Sequence, residues 1–301
     1  MIRALRRRAA TALLGALLFA APGLALAQSD PYPSKPIRLI VPYPPGGVTD
    51  LLGRLIAERL SERIGLSVVV DNRGGGSSTI GTGMVANASP DGYTLLLVAP
   101  DFAINETLVS KLAYNAAKDF TPVIQVAWSP MVLVTHPSVA ASSVREFVDL
   151  ARAQPGKINF GSGGNGPATA GLLGGQVSAM FLQMAIARPH ITAGKLNALA
   201  TPSGRRSPAM PDLPTLAESG LPGFDVMPWF GVVAPATSPA PIVNRLNTEI
   251  AGIMRQPEVR KQLADQGAEP VANTPAEFAA FIQSEIIRWG KVVRESGARI
   301  E

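Results

Sequence analysis

The alternation of short apolar strands with glycine-rich loops and amphipathic helices constrains this chain most strongly. Ile37–Val41 is a β-branched and apolar run that predicts a buried strand. Residues 42–47 contain three prolines and two glycines and must form a loop. Thr49 or Asp50 can cap the helix that follows, whose apolar residues recur with the helical period until Gly65 ends it. Such a strand–loop–helix unit is the building block of α/β sheets.

The same alternation continues along the chain and predicts a parallel sheet with helices on both faces. Further strands are expected near residues 67–70, 93–99, 131–136, 157–160, 177–181, 196–201, 226–234 and 270–271, and further helices near residues 80–88, 143–153, 241–254, 258–266 and 275–297. Residues 202–222 are rich in proline and serine and predict irregular chain. A chain of 301 residues is long enough for two α/β lobes, each with its own core.

The first twenty-seven residues predict the cellular compartment. Four arginines lie among the first eight residues, an apolar run covers residues 11–21, and Ala25-Leu26-Ala27 supplies a small-x-small cleavage site before Gln28. This pattern indicates a secretory signal peptide. The alternative is a membrane anchor, but the apolar run is shorter than the ~20 residues that span a bilayer. We therefore expect cleavage after Ala27 and a soluble periplasmic protein.

Charge and composition exclude several classes of function. The formal net charge is +5, and loss of the four leader arginines lowers it to +1, which leaves no basic stripe for nucleic acid. The chain has no cysteine, which excludes disulfides, thiolate nucleophiles and cysteine-ligated metals. Its two histidines, His136 and His190, are far apart and lack metal-ligand spacing. We expect neither a metal nor a cofactor.

Two glycine-rich loops, residues 42–50 and 161–169, lie at predicted strand-to-helix junctions. In open α/β sheets, ligands collect beyond the carboxyl ends of the strands. The following helix presents unpaired backbone N–H groups and partial positive charge there, and glycine lets the backbone approach an anion closely. The alternative is that these glycines serve tight turns alone. Two such loops in one exported chain favour a site for a carboxylate.

The sequence lacks the residue patterns that several enzyme classes require. The second loop contains GxGxxG at Gly161, Gly163 and Gly166, but residues 181–184 supply no acid where a dinucleotide site needs one. There is no GxSxG elbow, and two histidines are little material for a catalytic triad. An exported enzyme is the least favoured hypothesis.

Six segments in order along the chain resemble the substrate-binding receptors of tripartite tricarboxylate transporters, also called the Bug family. They are "KPIRLIVPYPPGGVTDLLGRLIAERL", "VVVDNRGGGSSTIGTGMVANASPDGYTLLL", "KINFGSGGNG", "GKLNALA", "RRSPAMPDLPTLAESG" and "FGVVAPATSPAPIVNRLN". The resemblance implies a type II-like periplasmic binding fold. Its two lobes have parallel-rich sheets with flanking helices, and they close on the ligand about crossing strands near residues 129–134 and 229–233.

The resemblance also implies which residues bind ligand, because family members hold carboxylates largely through backbone amides and ordered waters in these two loops. Carried onto this sequence, the binding residues are Tyr43, Gly46, Gly47 and Asp50 in the first lobe, Ser162, Gly163, Asn165 and Gly166 in the second, and Ser77, Ser78 and Asn105 from neighbouring loops.

The second lobe departs from the family pattern in two ways. After the second loop, family members continue through a helix and a strand before the segment that matches residues 172–177. Here residues 165–171 run directly into that segment, so about 20 to 30 residues are absent at mean element lengths. The family also has an aspartate after the next strand, where this chain has Leu182-Gln183. The sheet either closes around the gap or leaves the lobe marginally stable.

These observations predict a domain organisation and a function. Residues 1–27 are the signal peptide, residues 28–129 plus 230–301 the first lobe, and residues 130–229 a second lobe truncated near residues 164–171. We expect a monomeric receptor that passes a small carboxylate to the subunits of an integral membrane transporter. The alternative is a degenerate relative that binds no solute and is an interaction protein or has no function.

Overall fold

A six-stranded sheet organises the larger part of the chain, for which a computed structural model describes residues 32–161, 165–265 and 267–301. Residues 35–301 form one compact unit, and residues 32–34 belong to a separate N-terminal unit. The strand order is β10-β4-β9-β3-β1-β2. Its strands are β1 (Ile37–Val41), β2 (Val68–Asn72), β3 (Thr94–Val98), β4 (Phe120–Trp128), β9 (Trp229–Pro235) and β10 (Glu269–Pro270).

Strand direction in this sheet places four strand ends on one edge. β1 pairs in parallel with both β2 and β3. β9 is antiparallel to β3 and to β4, so β4 runs in the same direction as β3. The carboxyl ends of β1, β2, β3 and β4 therefore lie on a common edge, which is where ligands bind in sheets of this kind.

Six helices cover the two faces of this sheet. They are α1 (Val48–Ile64), α2 (Thr79–Ala86), α3 (Asp101–Leu108), α7 (Ala240–Met254), α8 (Pro257–Asp265) and α9 (Pro275–Ser296). The helix α9 packs on α3 and β4, and α1 packs on β1 and β2. Between sheet and helices lies an apolar core that includes the fully buried Trp229, Phe102 and Phe278. Burial of such large side chains is the dominant stabilising contribution.

A second, four-stranded sheet has the order β6-β7-β5-β8. Its strands are β5 (Met131–Thr135), β6 (Phe160–Gly161), β7 (Ala179–Gln183) and β8 (Asn197–Ala200), and its helices are α4 (Val144–Ala153), α5 (Asn165–Leu173) and α6 (Met184–Thr192). β7 pairs along its whole length with β5 and at two positions with β6, so the sheet is continuous across the shortened segment. Val132, Leu172 and Leu182 are buried in its core. The sheet has closed around the gap.

The chain passes between the two sheets twice, and the two passages touch. The first is at residues 129–130, between β4 and β5, and the second precedes β9. The backbone N–H of Ser129 donates to Pro228 O at 2.8 Å and joins them. Residues 129–134, implied as the first crossing stretch, include this first passage and continue into β5. Residues 229–233, implied as the second, lie in β9 and directly follow the second passage.

Several expectations from the sequence need correction. The pairings are mixed rather than parallel-rich, since three are parallel and five antiparallel. Four elements were not predicted: β4, α3, α5 and α6. Their segments lack the boundary residues and the hydrophobic periodicity that marked the other elements. Neither Thr49 nor Asp50 caps α1, whose N-cap is Gly47. The α/β class with two sheets and flanking helices is confirmed.

Candidate functional site

The loops that follow β1, β2 and β3 meet at the common edge of the first sheet. They comprise residues 42–47, residues 73–78 and residues 99–100. The first and second touch, since a Cβ at Gly74 would lie 3.1 Å from the Pro44 ring. Tyr43, Gly46, Gly47, Asp50, Ser77 and Ser78 all lie in or beside these loops, and Asn105 lies in the first turns of α3. The structure therefore brings together every predicted first-lobe residue.

The helix α1 begins without a capping side chain. Its N-cap, Gly47, has extended backbone angles (φ −84°, ψ 170°) and no cap hydrogen bond. The N–H groups of the first helical turn have no acceptor within a helix, and they carry the positive end of its dipole. Nothing lies within 4 Å of a Cβ built on Gly47, so there is open space beside this residue at the start of the helix. The start of α1 can accept an anion.

Asp50 braces the first loop from inside. It is 3% exposed, and its carboxylate accepts hydrogen bonds from Gly46 N at 2.9 Å, Arg54 Nε at 3.1 Å and Asn72 Nδ2 at 3.0 Å. Burial alone would raise the pKa of Asp50, but these hydrogen bonds outweigh it and lower the pKa below its usual value. Asn72 Nδ2 also donates to Tyr43 O at 3.1 Å. The loop is thus held in one conformation.

This bracing changes the expected role of two residues. The N–H of Gly46 is committed to Asp50, so it is not the free donor that the resemblance implied. Gly46 has a φ of +90°, which explains the glycine, because other residues rarely adopt this angle. Asp50 directs both carboxylate oxygens into the protein and supports the loop.

A polar cluster beneath the loops was not foreseen from the sequence. The Tyr43 hydroxyl donates to Asp101, and the Ser78 side chain lies beside both of these side chains. Asn105 Nδ2 donates to Ser77 O at 2.8 Å. Asp101 is the first residue of α3, directly after the β3 strand end. Only its position after a predicted strand could have identified Asp101 as a site residue, since no sequence motif includes it.

Ser77 and Ser78 adopt an uncommon backbone conformation. Their φ angles are 53° and 71°, in the left-handed region that is unfavourable for a residue with a Cβ. Ser78 is buried and precedes α2 as its N-cap. The Asn105 bond to Ser77 O and the Ser78 contacts to Tyr43 and Asp101 hold both residues in place. Strain that is held by specific contacts is typical of binding sites.

The second predicted loop is only partly described. Ser162 and Gly163 lie outside the described residues. Asn165 and Gly166 form the first residues of α5, which follows β6, so a helix does begin at this junction. The position at which family members have an acid falls on buried core: Leu182 is 0% exposed and pairs with Val132 across β5 and β7. Gln183 next to it is the N-cap of α6.

Residues 32–161, 165–265 and 267–301 contain no group of three or more side chains that could hold a metal ion. Within the same ranges, no helix has both the length and the apolar character needed to cross a membrane.

Comparison with known proteins gives the family. The model of the "Tripartite tricarboxylate transporter family receptor" matches residues 52–170 and 163–298. The chain belongs to this family. Its similarity to the protein BugT of Bordetella pertussis is 37% identity over 319 aligned positions, which include 96% of this chain and 98% of that protein.

Two solved structures are also similar. One is an R. palustris protein with adipate (33% identity, TM-score 0.83, 89% of this chain and 100% of that chain covered). The other is MatC from Rhodopseudomonas palustris with bound malate (31% identity, TM-score 0.80, 87% and 100% covered). Similarity at this level covers both sheets, so the receptor has the two-lobed fold of these proteins.

The comparisons also bear on the shortened second lobe. The two segments matched to the family model overlap at residues 163–170, so the same residues align on either side of a gap. The alignment with BugT has more positions than the 301 residues of this chain, which requires gaps in this chain. Both observations support the internal deletion inferred near residues 164–171.

Proposed function

We propose that this receptor captures a small dicarboxylate in the periplasm and delivers it to the membrane subunits of a tripartite tricarboxylate-type transporter. One observation carries the proposal: α1 begins at an open, uncapped N-terminus on the ligand-binding edge of the sheet, and Asp50 and Asn72 hold the loop before it. Acids are bound by two similar proteins, adipate by one and malate by the other. Their shared chemistry is a pair of carboxylates.

Each lobe is proposed to bind one carboxylate of the ligand. Residues 28–129 and 230–301 form the first lobe, where the α1 N-terminus and the N–H groups around Gly47 receive the first carboxylate. Residues 130–229 form the second lobe, where Ser162, Gly163, Asn165 and Gly166 receive the other end of the ligand as the lobes close. The protein acts as a monomer, without a cofactor and without catalysis.

Ligand binding is tested by thermal shift on residues 28–301. The screen uses adipate, malate, succinate and citrate, with acetate and glutamate as comparisons. A ligand that binds the native state alone stabilises it by about 2.7 kcal/mol at one hundred times its Kd. In a chain of this size that stabilisation raises the Tm by roughly 5 to 10 °C. No shift with any carboxylic acid would instead support a degenerate relative without solute binding.

Export is tested separately. We expect the periplasmic fraction of cells that express the full chain to contain a protein beginning at Gln28, because Ala25-Leu26-Ala27 is the small-x-small site that follows the apolar run. N-terminal sequencing of that fraction locates the cleavage. Recovery of intact Met1 from the membrane fraction would contradict the proposed leader.

A further inference from the structure

Asp101 joins three separate chain segments beneath the proposed ligand site. Its carboxylate accepts a hydrogen bond from the hydroxyl of Tyr43, in the loop after β1, and lies beside the side chain of Ser78, in the loop after β2. Asp101 itself is the first residue of α3, after β3, and the backbone N–H of Phe102 next to it donates to Ala99 O at 2.9 Å. One carboxylate thus connects the three strand ends that form the first-lobe side of the site.

The Asp101 carboxylate is partly buried beneath the loops and already accepts from the Tyr43 hydroxyl. Its effect has to pass through Tyr43, the first residue of the proposed binding loop to hold a polar side chain. Tyr43 is anchored at two points: its carbonyl accepts from Asn72 Nδ2, and its hydroxyl donates to Asp101. Without the second anchor, the segment leading to Gly46 and Gly47 keeps its backbone bond but loses the side-chain support.

We infer that Asp101 is a positioning residue of the ligand site, which fixes Tyr43 and Ser78 and thereby the loops that present N–H groups to the ligand. The inference rests on the proposed receptor function. Pre-organisation of this kind raises affinity, because the loops do not have to be ordered when the ligand binds.

The environment of Asp101 agrees with this role. Burial raises the pKa of Asp101 above its usual value, although the neighbouring hydroxyls of Ser78 and Tyr43 lower it. The titratable groups that interact with it are Tyr43 and Tyr114; burial raises the pKa of Tyr114 to about 12 and that of Tyr43 well above its usual value. Below pH 8, Asp101 is therefore the group of this cluster that changes charge.

A carboxyl with a raised pKa gives the folded state an advantage that is full below the unfolded pKa of about 3.9. The advantage is lost as the pH rises through the folded pKa. We therefore expect the Tm of the wild type to fall relative to that of Asp101→Asn as the pH rises from 4 to 8. A constant difference between the two proteins would contradict the burial of this carboxyl.

The binding test uses calorimetry with adipate and with malate on wild type, Asp101→Asn, Tyr43→Phe and the double variant. Each single variant is expected to bind at least tenfold more weakly. Because Asp101 acts through Tyr43, the double variant is expected to bind no more weakly than the weaker single variant, whereas independent effects would add.

Glu249→Gln is the matched control. Glu249 is a buried carboxylate of the first lobe, 8% exposed, and it pairs with Arg63 in the last turn of α1, far from the loop at the other end of that helix. We expect this variant to lose thermal stability and keep its affinity. Wild-type affinity in Asp101→Asn would overturn the inference alone. Failure of the wild type to bind either acid would overturn the proposed function and the inference together.

Discussion

We expect valine at position 47 to remove most of the proposed carboxylate binding and to leave the protein folded. The Gly47 backbone angles (φ −84°, ψ 170°) are accessible to any residue, and a Cβ there meets no atom within 4 Å. The fold therefore has room for the side chain. The isopropyl group, however, is expected to fill the open space at the start of α1, where an anion needs close backbone approach. Affinity is expected to fall at least a hundredfold, about 2.7 kcal/mol.

Calorimetry with adipate or malate measures this loss, and circular dichroism and the Tm report on the fold. Gly83→Val is the control, because Gly83 lies in α2 of the same lobe and a Cβ there also meets nothing within 4 Å. It adds the same side chain and should leave the affinity unchanged. If Gly47→Val binds as the wild type does, the loop is a turn alone and the ligand lies elsewhere.

Several strands and helices of the first lobe could be predicted because the residues that mark them are close together in sequence. Ile37–Val41 is apolar except at Arg38 and is β1 at the predicted bounds. Gly65 ends α1 in the left-handed conformation that favours glycine, and Thr274 with Glu277 forms a capping box at the start of α9. Signals of this kind depend on neighbours in sequence, which the chain displays directly.

The hydrogen bonds that hold the site loops could not be predicted, because most of them join residues that are distant in sequence. Tyr43 and Asp101 are 58 positions apart, and sheet order alone places the two loops together. Asp50 is a standard helix-capping residue type, yet here it accepts from Gly46 and Asn72 instead. β4 was missed for a related reason: Pro122 interrupts its pattern, and the register shift beside β9 accommodates the proline.

The sequence did not decide whether the second sheet closes around the shortened segment, and the structure shows a continuous sheet. β7 takes its place between β5 and β6, and the Leu182 side chain fills the core of this lobe. β6, with two residues, is left as an edge strand, and Phe160 on it is 50% exposed while its ring meets Phe181 edge-on at 5.9 Å. The cost of the deletion is thus concentrated at one edge of the sheet, beside the second predicted loop.

The largest expected loss of stability follows from one methyl group at Gly231. This glycine lies in β9 and pairs with Val98 of β3 on one side and Gln125 of β4 on the other. A Cβ there would overlap Cζ of Phe278, approach its Cε1 to 2.6 Å and lie 3.0 Å from Ile124 O. Since strands bound on both sides cannot shift freely, we expect Gly231→Ala to lower the free energy of unfolding by about 3 kcal/mol.

Thermal denaturation measures this loss as a Tm lower by roughly 10 °C. The matched substitution Gly83→Ala adds the same methyl group in open space within a helix and should raise stability by about 0.5–1 kcal/mol. An unchanged Tm in Gly231→Ala would mean that the core yields easily at this point.

The cause can be separated by a second substitution. Phe278 is 0% exposed and packs edge-on against Trp229 with ring centroids 5.8 Å apart, so its ring has no free volume to enter. Phe278→Leu alone should destabilise, because it leaves part of that volume empty. Combined with Gly231→Ala, however, it removes the overlapping atoms, so the double variant should be more stable than the sum of the two losses predicts. Additive losses would instead assign the strain to the carbonyl of Ile124 and the backbone of β4.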